Sequence, residues 1–383
     1  MRILIHAAAA KIGGAGTYIR ILARELAQNR QHDYIFIVPE AQAGAIRGLA
    51  PHISVLTNNL AGLPRLWFDQ VELPRIIRRE RIDVLFSTAN FSTFSCSCRQ
   101  LLLMRNSLYF SDIYRERILP HKSFSTRFGE FLRRLLARRS ALAADVVLTP
   151  SQSMLSELRH LPLRANKVAH YGVDRHRFYP RFHPYAPESK ARLLFTSLYA
   201  EHKNLGTLFR ALLRLHASGR KSFLITTADP AWENISNPIR TQDRSLADQL
   251  KSLGLLELTG VLADSQLDQL YARADMFVYP SVVESFGHPL LEAMASGLPV
   301  IASDVPVNRE LCGDAAMYFA PFDDEDCARQ IGLVMDDAEL RRRLAEEGQR
   351  RVEKFSWSAH AQVLVEQFAG TPEVLTEPVE NTA

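Results

Sequence analysis

Short apolar runs separated by amphipathic stretches recur along almost the whole chain, and this alternation constrains the fold more than any other feature. In the first half the runs are Arg2–Ala8, Tyr34–Val38, Val84–Thr88, Gln100–Met104 and Asp145–Thr149. In the second they are Leu193–Ser197, Phe223–Thr227, Met276–Tyr279, Pro299–Ser303 and Ala316–Ala320. Most are continuous rather than alternating, as expected for strands of a parallel sheet covered on both faces. Between them apolar residues recur at helical spacing, for example Tyr18-Ile19, Ile21-Leu22 and Leu26, or Leu205, Leu208-Phe209 and Leu212-Leu213. Repeated strand–helix units of this kind predict doubly wound α/β domains.

A chain of 383 residues is too long for one ordinary core, so two such domains are expected. The periodicity breaks between Gly172 and Ser189, where Pro180, Pro184 and Pro187 fall. The reading is therefore a first Rossmann-like domain over 1–172, a linker over 173–189 and a second domain over 190–355. A last helix over 356–369 and a polar, disordered tail over 370–383 follow. No apolar run approaches the roughly 20 residues that span a bilayer. The N-terminal run leads into Lys11-Ile12-Gly13-Gly14 and reads as a first strand entering a glycine loop, not as a signal peptide. Cys96, Cys98, Cys312 and Cys327 form neither a disulfide framework nor a zinc-ligand pattern, which favours reduced thiols in a cytoplasmic protein.

Charge is unevenly distributed. Residues 1–185 carry 27 Lys/Arg against 13 Asp/Glu, whereas residues 186–383 carry 19 against 29. The basic half is expected to face something anionic. Within it, Phe124–Ala144 interleaves Arg127, Arg133, Arg134, Arg138 and Arg139 with Phe128, Phe131, Leu132, Leu135 and Leu136. This is a basic amphipathic helix with two readings. Its apolar face packs on the sheet while the arginines are solvated, or it docks on the anionic inner face of a membrane. Nucleic acid is disfavoured, because no recognition module or aromatic platform accompanies the charge. The acidic run Asp323-Asp324-Glu325-Asp326 reads as a solvated turn, and no metal-ligand cluster is apparent.

The densest chemical signal lies between Tyr279 and Ile301. A strand ends near Pro280, and a helix is expected to start at Pro289, since proline suits a first helical turn. The backbone N–H groups from Gly287 to Leu290 would then point out of a helix N-terminus, an arrangement suited to a diphosphate. Gly287 permits close approach of backbone to ligand. Glu284 falls in the loop above the strand, where open α/β sheets bind ligands. Glu292, about one turn into the helix, can offer a carboxylate to a sugar diol. Taken alone, the two acids are more simply read as solvated loop and helix carboxylates.

The string Glu284-Ser285-Phe286-Gly287-His288-Pro289-Leu290-Leu291-Glu292-Ala293-Met294-Ala295-Ser296-Gly297-Leu298-Pro299-Val300 resembles the Glu-x7-Glu signature of glycosyltransferase family 4. The resemblance implies two Rossmann-like domains facing across a cleft, the GT-B fold, with the first taking the acceptor and the second the nucleotide sugar. It implies retention at the anomeric carbon with neither metal nor cofactor. Glu284 would contact the donor sugar and Glu292 the ribose, with Ser285, Phe286, Gly287, His288 and Leu290 lining the donor. Gly13-Gly14-Ala15-Gly16 matches the loop that meets donor phosphates and acceptor, so Gly14 is a donor candidate; a plain tight turn is the other reading. The segment Leu258–Leu262 resembles the one that reads the base, which nominates Val261.

Leu194–Asn204 stands where the family has Gly-Arg-Leu-x-x-x-Lys-Gly/Asn. Lys203 would neutralise charge on the departing diphosphate. The family arginine is missing, its place falling to Ser197 or Leu198. Many relatives also have His-Asp after the strand Gln100–Met104, and this chain has Arg105-Asn106. Arg105, Asn106 and Asn90 are therefore acceptor candidates, with a surface ion pair the other reading for Arg105. The expected activity is transfer of a hexosyl group from a UDP- or GDP-sugar to a glycan or lipid-linked acceptor in cell-surface polysaccharide biosynthesis. A nucleotide-sugar epimerase and a non-catalytic sugar-nucleotide-binding protein are the alternatives.

Overall fold

The computed structural model describes residues 1–10, 13–180, 189–231 and 237–370. Lys11-Ile12 of the glycine-loop reading, Pro184 and Pro187 of the expected linker, and the expected tail beyond Gly370 lie outside the described residues.

Two sheets organise the chain. The first contains β1 (Arg2–His6), β2 (Asp33–Val38), β3 (Ile53–Thr57), β4 (Val84–Ser87), β5 (Arg99–Leu103), β6 (Val146–Thr149) and β7 (Asn166–Val168), in the order β3-β2-β1-β4-β5-β6-β7. The second contains β8 (Ala191–Phe195), β9 (Ser222–Thr226), β10 (Leu256–Leu258), β11 (Met276–Tyr279), β12 (Val300–Ser303) and β13 (Ala316–Phe319), in the order β10-β9-β8-β11-β12-β13. All five pairings of the second sheet are parallel. So are the pairings of β1 with β2 and β4, of β2 with β3, and of β6 with β7. Each order reverses direction beside its first strand, between β1 and β4 and between β8 and β11. These are the topological switch points at which doubly wound sheets bind ligands.

Every strand expected from the sequence is present, with its ends within two residues of those expected. Three more exist, β3, β7 and β10, and each is an edge strand. An edge strand is covered incompletely, so it lacks the continuous apolar run of its inner neighbours. Of β3 only Ile53 is buried, and β7 buries no residue fully.

The chain packs as two compact units. One comprises Met1–Ser87, Ser95–Leu101 and the chain from Ser358; the other comprises Thr88–Phe94 and Leu102–Trp357. The first closes around Leu4, Ile35, Ile37, Leu73, Ile77 and Leu85. In it, the part of helix Trp357–Ala369 from Ser358 on sets His360 against Tyr18, with Nε2 3.1 Å from the hydroxyl, and Phe368 against Phe86. In the second unit, Leu102, Met104, Ala137, Ala141, Val147 and Met154 form one core, and the inner strands β8, β11 and β12 bury Leu193, Phe195, Phe277, Val278 and Ile301 completely. Burial of each such large side chain stabilises by about 1.5–3 kcal/mol.

Two local expectations are corrected. The acidic run is a working cap, not a solvated turn. Asp323 accepts from the backbone N–H groups of Glu325 and Asp326 at the start of helix Asp324–Asp336, and Asp324 pairs with Arg210 and Arg214. Carboxylates are favoured there by both the free N–H groups and the helix dipole. The basic helix spans Phe124–Ala143, capped by the Ser123 hydroxyl, and does not bury its apolar stripe. It packs through the small residues Ala137, Ser140 and Ala141, while Phe124, Phe128, Phe131, Leu132 and Leu135 are exposed.

Candidate functional site

The second switch point builds a polar site from two loops. After β8 the chain makes one 3-10 turn, Glu201–Lys203, then passes through Asn204 at φ 54° into helix Leu205–Ala217. That left-handed step suits glycine or asparagine, which gives a physical reason for the Lys-Gly/Asn pattern. After β11 the chain runs through Ser281–Phe286 to Gly287 and helix His288–Ala295. The loops are laced together. Val282 N–H donates to His202 C=O at 3.0 Å, and the Asn204 amide donates to Pro280 C=O at 3.3 Å. Glu201 anchors the turn from below, accepting from Lys122 Nζ at 2.5 Å and from the Asn237 amide.

Lys203 Nζ lies 2.5 Å from Glu284 Oε1, and the same oxygen accepts from the Tyr279 hydroxyl at 2.7 Å. Burial pushes the Glu284 carboxyl up, but the Lys203 ammonium, His202 and the two hydrogen bonds outweigh it and hold the carboxyl below its usual range. Burial and the neighbouring Lys203 push the His202 imidazole down to about 4, so it is neutral at physiological pH. Glu292 receives the Tyr271 hydroxyl on Oε2 at 2.7 Å, and Tyr271 in turn lies 2.7 Å from the Thr196 hydroxyl.

The helix that carries Glu292 starts one residue earlier than expected. Gly287 is its N-cap at φ 112°, and Pro289 falls at the second helical position. A Cβ on Gly287 would meet Leu290 at 3.3 Å and Leu311 at 3.4 Å, so both backbone angle and space demand glycine. No side chain caps this end. The N–H array is smaller than expected, because Pro289 has no N–H and Leu290 donates to Gly287 C=O at 3.0 Å. Side chains here serve packing. Leu290 is buried, Phe286 meets Tyr171 edge-on, and His288 stacks on Tyr171 with centroids 5.0 Å apart.

The acceptor candidates lie in the same compact unit. Asn90, at φ 57°, uses Oδ1 to accept from the backbone N–H groups of Arg105 (2.7 Å) and Asn106 (3.1 Å). Asn106 Oδ1 accepts from Leu108 N–H. Both asparagine oxygens thus hold loop backbone. The Arg105 guanidinium stands over the Tyr171 ring at 5.9 Å, a cation–π contact. Two residues on, Ser107 donates to Glu284 C=O, and Ser151 donates to Ser285 C=O. Ser197 donates its hydroxyl to Leu198 C=O, and Val261 is exposed beyond β10. Gly14 opens helix Gly14–Gln28 in the other unit, with open space where a Cβ would stand.

The sequence reading missed Tyr271, Thr196 and His202, along with the anchoring role of Glu201. Tyr279 belongs to the motif, but the target of its hydroxyl depends on where the next loop returns.

Residues 12–177 match the family described as Glycosyltransferase Family 4, and residues 181–351 match the one described as Glycosyl transferases group 1. O-antigen chain mannosyltransferase B of Escherichia coli is 32% identical over 165 residues, 43% of this chain and 42% of that protein. The MMP alpha-(1->4)-mannosyltransferase of Mycolicibacterium hassiacum is 30% identical over 235 residues, 59% of this chain and 51% of that protein. The chain thus spans about half the length, or less, of these curated relatives. Among solved structures, sucrose-phosphate synthase from Thermosynechococcus elongatus is similar with a TM-score of 0.74 at 19% identity, covering 97% of this chain and 100% of that one. HepE of Anabaena, in complex with UDP-glucose, is similar with a TM-score of 0.69 at 18% identity and the same coverage. These structural likenesses concern the fold.

Proposed function

Because the chain belongs to glycosyltransferase family 4, we propose that it moves a hexosyl group from a UDP- or GDP-sugar to a hydroxyl of a glycan or lipid-linked acceptor. The observation that carries this reading is the Lys203–Glu284 pair beside the uncapped, glycine-led N-terminus of helix His288–Ala295. That terminus suits a diphosphate through backbone N–H groups and the helix dipole. Lys203 uses one of its three donors on Glu284 and has two to offer the leaving group. Glu284 takes both bonds on Oε1, which leaves Oε2 for a sugar hydroxyl. Glu292 serves the ribose.

In the proposed reaction the bond from the anomeric carbon to the diphosphate oxygen breaks while the acceptor oxygen bonds the same carbon from the same face. The acceptor proton passes to the departing phosphate oxygen. Retention follows without a side-chain nucleophile, and Lys203 with the helix N-terminus answers the growing charge, so no metal is required. The relatives named as mannosyltransferases, one of them of the O-antigen chain, support a cell-surface polysaccharide as the setting.

A thermal-shift titration with UDP and GDP tests the donor site. The correct nucleotide at 100 times its dissociation constant stabilises the protein by about 2.7 kcal/mol. The wild type then slowly hydrolyses the matching nucleotide sugar and Glu284→Ala does not. Binding with no sugar release from any donor would point to the non-catalytic alternative, and release of an epimerised sugar to the epimerase.

The helix Phe124–Ala143 supports an anionic membrane as a partner. Phe124, Phe128, Phe131 and Leu135 form an exposed stripe at helical spacing, flanked by exposed Arg127 and Arg138. Arginines near an anionic surface contribute about 1 kcal/mol each, and the stripe adds buried apolar area. No described helix is long and apolar enough to cross a membrane, so the association proposed is peripheral. Vesicles containing phosphatidylglycerol should sediment the wild type but not the Phe128→Ser/Phe131→Ser variant. Equal sedimentation of both would remove the membrane from this reading.

A further inference from the structure

We propose that the buried aromatic ladder Tyr271–Phe277–Tyr279 positions both acids of the donor site, Tyr279 setting Glu284 for turnover and Tyr271 setting Glu292 for nucleotide binding. This rests on the donor reading given under Proposed function.

The three rings stack in sequence. Tyr271 and Phe277 have centroids 5.8 Å apart at an interplanar angle of 23°, and Phe277 and Tyr279 have centroids 5.9 Å apart at the same angle. Phe277 and Tyr279 are two residues apart on β11, so they project from one face of the sheet. Tyr271 comes from helix Asp264–Arg273 and completes the stack from outside the strand. Phe178 packs edge-on against Tyr271, and Phe195 of β8 packs against Tyr279. All three ladder rings are essentially inaccessible to solvent. Their positions are therefore set by core packing, which tolerates little displacement.

Each outer ring directs its hydroxyl to one acid. Tyr279 donates to Glu284 Oε1, and Tyr271 donates to Glu292 Oε2, both at 2.7 Å. Burial raises both phenols well above their ordinary value, so each is protonated, and a donor, at neutral pH. Tyr271 gives its only proton to Glu292, so the Thr196 hydroxyl donates to Tyr271. The result is a directed chain, Thr196 to Tyr271 to Glu292, parallel to the single step from Tyr279 to Glu284.

A carboxylate on a loop has free rotation about its side-chain bonds, and restraining it in advance lowers the entropy lost when substrate arrives. Lys203 cannot do this alone for Glu284, because its long side chain is expected to shift toward a bound diphosphate. The Tyr279 phenol cannot shift without breaking the stack. The ladder thus acts as a rigid frame under two acids eight residues apart in sequence. Neither tyrosine touches the substrate in this scheme; they are positioning residues.

The test compares three variants that each remove one phenol hydroxyl and keep the ring. In Tyr279→Phe, kcat for hydrolysis of UDP-glucose or GDP-mannose, whichever the wild type uses, falls about tenfold or more. Affinity for UDP or GDP alone changes less than about twofold. The acid limb of the kcat profile also moves up, since Glu284 then faces only Lys203, His202 and the lost hydroxyl's space. In Tyr271→Phe, nucleotide affinity weakens about tenfold and kcat changes less. Thr196→Val weakens nucleotide affinity in the same direction by a smaller factor. Tyr34→Phe is the control, because the Tyr34 hydroxyl is buried without a hydrogen-bond partner, far along the chain from these loops; it matches wild type in both measurements.

Wild-type kcat and acid limb in Tyr279→Phe, or equal changes of kcat and affinity in the two site variants, would overturn the proposal. Glu284→Gln separates the layers. If it retains wild-type turnover, the role given to Glu284 fails. If it loses turnover while Tyr279→Phe does not, only the ladder fails.

Discussion

A charged cluster lies beside each switch point, and the two are treated in opposite ways. At the end of β1, His6 Nε2 lies 3.2 Å from Asp69 Oδ1, and Arg65 Nε donates to both Asp69 oxygens at 2.7 and 2.9 Å. The His6 and Asp69 side chains are 1% and 6% exposed. At the second switch point Lys203 and Glu284 are 14% and 13% exposed. In the first cluster His6 and the acid are sealed and both acid oxygens are answered by protein, while Arg65 reaches the rim at 15% exposed. In the second, the hydrogen bonds to the acid share one oxygen, and the lysine keeps donors in hand. A sealed cluster contributes to holding a unit together; an open, incompletely satisfied one is placed to bind.

Matched acid-to-amide changes break or sharpen this contrast. Glu284→Gln keeps an acceptor for Lys203 and Tyr279, so stability should change by no more than about 1 kcal/mol. Turnover should fall a hundredfold or more, in the range of about 10²–10³ seen when a preorganised electrostatic group is removed. Asp69→Asn should do the reverse. It leaves Arg65 and His6 without their anion in a dry setting, which costs about 3 kcal/mol. Turnover per folded molecule should remain near wild type. Urea unfolding and initial rates on the two purified variants measure both quantities. A large activity loss in Asp69→Asn without unfolding would make the first switch point a site as well.

These clusters also mark how far the sequence could be read. Inner strands were legible because burial on both faces leaves continuous apolar runs, as in β11, where all four residues are buried. Edge strands β3, β7 and β10 lack that signal. The Glu284–Glu292 string was legible because its glycine and proline have local backbone reasons. Tyr271 was not, because its hydroxyl acts on a residue 21 positions away through the packing of helix against strand. The helix Phe124–Ala143 was legible as amphipathic, but the identity of its packed face was not. Periodicity shows which side is apolar; it does not reveal that small residues would make the contact and leave the phenylalanines outside.

The smallest effect expected concerns the histidine in each cluster. Burial pushes the His6 imidazole down more than Asp69 raises it, with Arg65 lowering it further, and burial with Lys203 pushes His202 down to about 4. A depressed histidine is neutral in the fold and titrates near pH 6.5 when unfolded. The unfolded chain therefore takes up protons that the folded chain refuses as pH falls below about 6.5, and stability declines. For His202 the decline runs to about pH 4, where the folded imidazole also protonates and the loss stops growing. Urea midpoints should then fall between about pH 7.5 and pH 5. His202→Gln should flatten that slope for the second unit and leave the first unchanged, and His6→Gln should do the converse. Unit-specific proteolysis along the urea titration would separate the two transitions. If both variants flatten one common transition, the two clusters unfold together and the contrast between them is confined to binding.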